Sequence, residues 1–185
     1  MIDELIKDAR ERMRKSVESI SHEFASVRTG RASPALLDRV VVDYYGAQTP
    51  LKQLATISAP EARLVTVQPY DATSIKAIEK AIMESDLGLT PSSDGKLIRL
   101  SVPELTQERR LQMVKVVHGI AEEGRISIRN VRRDVMQDLR ELKSAGDVGS
   151  DDEHRAEGDV QKLTDEWIGE LDVLMKAKEA DVLEV

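Results

Sequence analysis

Through the first 27 positions apolar residues recur at intervals of three and four: Ile2, Ile6, Ala9, Met13, Val17, Ile20, Phe24 and Val27. Lys, Arg, Glu, Asp and Ser fill most places between them. That spacing draws a single apolar stripe along a helix. Gly30 and Pro34 end the pattern, and the texture then changes. Arg39–Tyr45 is β-branched and aromatic, and Gly46–Pro50 reads as a turn. Gln53–Ser58, Arg63–Gln68 and Lys96–Val102 are further strand candidates. Asp71 can cap a helix over 72–85 with Ile75, Ile78 and Ile82 on its inner face, and Ser92-Ser93-Asp94-Gly95 reads as a turn. From Thr106, a candidate N-cap, the helical period returns. Met113, Val117, Ile120, Gly124, Ile128, Val131, Val135, Leu139 and Leu142 form an unbroken stripe that stops at Ala145-Gly146. Ser150 and Glu153 stand at capping-box spacing and open a third helix, with Ala156, Val160, Leu163, Trp167, Leu171 and Leu174 inward.

The fold class expected from this order is α+β: an elongated three-helix bundle with a small, β-rich α/β domain inserted in it. Three long amphipathic helices bury their stripes only against one another, so the bundle is discontinuous, from 1–30 and 105–185, around an insertion at 31–104. Chain crosses the boundary twice, at Gly30, Arg31, Ala32, Ser33 and Pro34, and at Val102, Pro103, Glu104 and Leu105. Each crossing contains a proline. Such a two-stranded connection is expected to act as a hinge rather than a free linker.

Composition agrees with long helices: charged residues make up 33% of the chain and aromatics 3%. The absence of cysteine excludes disulfides, zinc–thiolate sites and thiol catalysis. No apolar run approaches the ~20 residues of a membrane helix, and no signal-peptide pattern opens the chain, so a cytoplasmic location is expected. The net charge of −7 is uneven. Residues 105–133 carry 7 basic and 3 acidic side chains, whereas 134–185 carry 6 and 16. One basic stretch in an acidic protein suits docking to a defined polyanionic surface rather than indiscriminate nucleic-acid binding.

Within that stretch Arg125, Arg129, Arg132 and Arg133 are the sharpest feature, with Arg110 upstream on the same helix. At 100° per residue Arg125, Arg129 and Arg132 fall within about 60° of one another, on the flank of the bundle. Guanidinium groups in a row on a rigid rod suit bidentate phosphate contacts. The alternative is a solvated face whose arginines pair with the acidic third helix, in a helical adaptor that binds a protein partner without RNA contact. Catalytic constellations are poor. His22, His118 and His154 lie on three different helices, none with a ligand at i+4, so no metal site is expected. There is no nucleophile elbow. Gly88 and Gly95-Lys96 lack the spacing of a phosphate loop, and Leu97 stands where a magnesium-binding hydroxyl would be needed. Neither enzyme chemistry nor a cofactor is expected. Tyr44, Tyr45 and Tyr70 all lie in the insertion, so RNA contact would rest on phosphates and shape.

Five blocks carry a resemblance to a known family: Val27–Leu37 (VRTGRASPALL), Ala81–Leu89 (AIMESDLGL), Pro103–Arg110 (PELTQERR), Ile128–Asp134 (IRNVRRD) and Asp159–Asp165 (DVQKLTD). In this order, across almost the whole length, they resemble the ribosome recycling factors of bacteria. The resemblance implies an L-shaped, tRNA-like monomer with the bundle as one arm and the α/β unit as the other. It implies binding to the large ribosomal subunit after translation termination, with ribosomal RNA contacted around Arg129–Arg133 and Arg132 central. Elongation factor G, using GTP, would push on the smaller arm and separate the subunits, while the chain itself hydrolyses nothing. Pro69-Tyr70 departs from the family pattern and is expected to alter local strand geometry.

Overall fold

A computed structural model describes residues 1–184. In chain order the elements are α1 (Ile2–Ser26), β1 (Val41–Tyr44), β2 (Ala47–Pro50), the single turn α2 (Leu51–Leu54), β3 (Ala55–Glu61), β4 (Leu64–Pro69), α3 (Ile75–Glu84), β5 (Pro91–Ser93), β6 (Ile98–Ser101), α4 (Gln107–Ser144) and α5 (Ser150–Leu183). Short 3-10 turns lie at Pro34–Leu37 and Ala72–Ser74. The chain packs as two units, Met1–Val27 with the chain from Glu108 onward, and Arg28–Gln107.

The first unit holds α1, α4 and α5. Their stripes meet in one core that includes Met13, Ile20, Phe24, Ile128, Leu139, Val160 and Leu171. Gly124 sits where α4 faces Ile20 of α1 and Leu171 of α5. A Cβ there would lie 2.7 Å from Ile20 Cγ1 and 2.9 Å from Leu171 Cδ2, so only glycine fits the approach. The flanks are tied by polar bridges between helices. Arg12 Nη2 lies 2.7 Å from Asp134, Ser16 Oγ 2.9 Å from Ser127 Oγ, and His118 Nε2 2.9 Å from Glu179. Trp167 packs against the core as its spacing predicts; its Nε1 is buried and meets no hydrogen-bond acceptor among the described residues.

Helix ends follow local chemistry, with one correction. Gly146, at φ +82°, lets the Gly146 and Asp147 N–H groups turn back to the carbonyls of Lys143 and Leu142, closing α4. The expected capping box at Ser150 does not form: Gly149 is the N-cap of α5 and no side chain caps it. Glu153, only 7% exposed, points instead at Lys143 Nζ and ties α4 to α5. A buried carboxylate is worth more against an ammonium ion than against a backbone N–H that water can reach.

The second unit has a two-stranded antiparallel sheet, β1-β2, and a four-stranded antiparallel sheet in the order β3-β4-β6-β5. Leu37, Val42, Leu51, Val65, Val67, Ile78, Ile82, Ile98 and Leu100 fill its core, and α3 lies against β1. Two segments read as turns are strands. Ala47–Pro50 pairs with Val41–Tyr44 because Tyr45 and Gly46, at φ +50° and +82°, form a two-residue hairpin turn. Pro91–Ser93 pairs with β6 at the sheet edge, where a proline and polar side chains are tolerated. Pro69 does not disturb β4. It occupies the last ladder position opposite Ala55, and the Tyr70 N–H donates to Leu54 O at 3.0 Å. The register shift lies at the other end, between Ser58 and Glu61. Asp71 caps as expected, but its carboxylate covers the 3-10 turn that leads into α3.

In the hairpin between β5 and β6, Asp94 accepts the N–H groups of Leu97 and Lys96 and a guanidinium N–H of Arg99. These bonds hold its pKa down, to about 2.

Three outcomes are expected in unfolding experiments. Gly124→Ala overpacks the contact of three helices and costs about 1–2 kcal/mol despite the better helix propensity of alanine. Gly158→Ala, where a Cβ meets nothing within 4 Å, gains about 0.5–1 kcal/mol. Asp94 has a depressed folded pKa, so its contribution is present above its unfolded value near 3.8 and disappears as pH falls toward 2. Tm measured over that window falls less steeply in Asp94→Asn than in the parent.

Candidate nucleic-acid interface

The basic stretch lies in the middle of α4, whose core face is fixed by Ala121, Gly124, Ile128, Val131 and Val135. Each arginine's position on the helix circumference decides what it can reach. Arg125 is turned toward α5. Its side chain is 19% exposed; Nε and Nη2 both donate to Asp172 Oδ1, at 3.1 and 2.6 Å, and Nη1 donates to Glu122 at 3.0 Å. The bond to Asp172 raises the Arg125 pKa further, against the opposing effect of its partial burial. Arg129 donates to the other oxygen of Glu122 at 3.2 Å. Glu122 is correspondingly held below the usual carboxylate range, first by the bond from Arg125. The carboxylates that neutralise part of this cluster come from outside it: Glu122 lies one turn upstream and Asp172 comes from α5.

Arg132 is half-buried and donates through Nη1 to Gln161 Oε1 at 2.8 Å, while Gln161 Nε2 donates to Asp165 at 2.9 Å. Arg133 is exposed and makes no hydrogen bond or ion pair with any described residue. Arg110 is committed elsewhere. Its guanidinium donates to the carbonyls of Val182 and Glu184 and so closes the C-terminus of α5, where a cation opposes the helix dipole. Of the five candidates, then, Arg110 and Arg125 bind the chain to itself, Arg129 and Arg132 are held but reach solvent, and Arg133 is open.

Two further cations of α4 lie outside the local cluster of arginines. Lys115 and Arg140 are exposed and, like Arg133, have no partner among the described residues. At 100° per residue they fall within about 40° of Arg129 and Arg133, on the side of α4 away from Gly124. With ~1.5 Å per residue the four span roughly 40 Å. The signal is present in the sequence as angular position rather than as clustering.

The expected crossing residues all lie in the second unit, and three of them are tied to the turn between β3 and β4. The Ala32 N–H donates to Ala62 O at 2.7 Å, the Val102 N–H donates to Arg63 O at 2.8 Å, and Glu104 pairs with Arg63. Ser33 accepts the Ala35 N–H, and Pro34 begins the 3-10 turn. Gly30, at φ +77°, places its α-carbon beside the Leu105 side chain. His22 and His154 are exposed, and His118 pairs with Glu179. Among the described residues no three His, Asp or Glu side chains could hold a metal ion, and no helix is long and apolar enough to cross a membrane.

Residues 20–183 match the family model described as ribosome recycling factor. The chain belongs to the ribosome recycling factor family. The relationship covers the full length. The ribosome-recycling factor of Rubrobacter xylanophilus is 52% identical over 180 residues, 97% of each chain. That of Bacillus subtilis is 50% identical over 185 residues, all of both chains. A solution structure of the ribosome recycling factor is similar with a TM-score of 0.80 at 42% identity, covering 100% of this chain and 98% of the other. A second similar structure, at TM-score 0.67 and 46% identity with full coverage of both chains, is described as the T. thermophilus ribosome recycling factor with E. coli elongation factor G, bound to the E. coli post-termination complex. The family is non-enzymatic.

Substitutions separate the structural arginine from the open one. Arg125→Ala leaves Asp172 without its cation and is expected to lower stability by about 1–2 kcal/mol. Arg133→Ala stays within about 0.5 kcal/mol of the parent. Urea titration followed by far-UV circular dichroism measures both.

Proposed function

We propose that the chain is a cytoplasmic ribosome recycling factor that binds the large ribosomal subunit after termination. With elongation factor G and GTP it promotes separation of the subunits. The full-length match at about half identity to ribosome-recycling factors carries this reading. The bundle supplies the RNA-facing surface through Arg129, Arg132 and Arg133, with Lys115 and Arg140 extending it along α4. Gln161 takes one Arg132 N–H and fixes the guanidinium while its other donors remain for phosphate. The acidic α5 keeps the rest of the bundle from binding RNA elsewhere. Gly30–Pro34 and Val102–Leu105 form the hinge, and pinning of Ala32 and Val102 to the β3–β4 turn confines the pivot to the few residues beyond them.

Co-sedimentation with purified large subunits over a salt series tests the proposal. Binding is expected to saturate and to weaken linearly in log Kd against log salt. Arg132→Ala and Arg133→Ala each weaken binding by roughly tenfold or less and reduce the slope by about one. A folded protein that fails to bind at low salt, or one whose binding ignores both salt and these substitutions, would sink the assignment and favour a protein-binding adaptor.

A further inference from the structure

The turn of the β1–β2 hairpin carries a cluster of aromatic and acidic side chains. Tyr45 is 82% exposed, although a tyrosine there must take a backbone conformation that non-glycine residues rarely adopt, φ +50°. Asparagine, aspartate or glycine would be the easier choice in such a turn. The ring is not loose. It meets Tyr44 edge to face with centroids 4.6 Å apart, and its hydroxyl lies 3.5 Å from Thr73 Oγ1. Tyr44 in turn donates to Asp71 Oδ2 at 3.1 Å. Asp71 Oδ1 accepts the N–H and the hydroxyl of Thr73, at 2.9 and 2.7 Å. Asp43, one residue before Tyr44, accepts the Gly46 N–H at 2.9 Å.

Both carboxylates are thus positioned by neutral donors. Asp71 has no cationic partner among the described residues, and no basic side chain joins its hydrogen-bond network, whereas Asp43 lines a cavity with Arg39 and Lys80. Asp71 keeps one acceptor position on Oδ2. An exposed aromatic face linked through Tyr44 to an unpaired carboxylate repels the phosphates that accompany a nucleic-acid base. It attracts a planar cation, which stacks on the ring while donating to Asp71. We propose that Tyr45, Tyr44 and Asp71 form a docking site for an arginine side chain of a basic protein segment.

The chain has three tyrosines, so the ring signals of selectively labelled full-length protein can be read individually by NMR. Nona-arginine peptide is expected to shift the Tyr44 and Tyr45 signals saturably, and nona-lysine to do so more weakly. Tyr45→Asn accepts the positive φ and preserves the turn while removing the ring. Read at Tyr44, it weakens nona-arginine binding by about three- to fivefold. Asp71→Asn, which keeps an acceptor oxygen for Thr73 but loses the charge, weakens binding comparably. Tyr45→Phe retains it. Ring signals that ignore nona-arginine, or that move equally with oligouridylate, would overturn the proposal. So would an affinity at Tyr44 that is unchanged by Tyr45→Asn.

Discussion

The apolar stripe of α1 can be buried only against helices encoded on the far side of an entire second unit. This constraint orders the rest of the molecule. The chain must leave the bundle, build two sheets and a helix, and return before Met13, Ile20 and Phe24 find Ile128, Val160 and Leu171. The second unit therefore begins and ends close together: Ala32 and Val102 are hydrogen-bonded to successive residues, Ala62 and Arg63. Gly124 carries the same constraint at atomic scale, since α1 and α5 both press on the place where its side chain would be.

A second division runs around the circumference of α4. One arc is core and the flanks are bridges; only the outermost arc is available to a ligand. Arg125 and Arg133 are two turns apart and chemically identical, yet one fastens α4 to Asp172 and the other meets solvent. The charge of the stretch is therefore an overestimate of what a polyanion would encounter. The acidic side chains of α5 do two jobs, holding flank arginines and lowering the potential away from the open arc.

The long helices are legible in the sequence because their period is repeated many times and each helix buries a whole stripe. Gly146 closes α4 where its position in the chain suggests. Ala47–Pro50 and Pro91–Ser93 are not legible as strands because their strand character comes from a partner: both are short, polar and contain proline. Ser150 and Glu153 illustrate a competing demand. Their spacing fits a cap, but burial of Glu153 beside Lys143 wins over an exposed N–H. At the candidate interface the residue types and their helix can be read directly. What cannot be read is which arginine is already spoken for, because Asp172, Gln161 and the carbonyls at the end of α5 reach α4 only through tertiary packing.

Lys115, Arg129, Arg133 and Arg140 all belong to one uninterrupted helix of 38 residues. Their backbone separations are therefore set by helix hydrogen bonds rather than by loops, and only side-chain freedom would be lost on meeting an anionic surface. As part of the proposed RNA-facing surface, such an array would measure length. A polyanion whose phosphates fall at the same intervals would engage every cation at once, whereas one of equal charge but different pitch would align with one or two and leave the others in water.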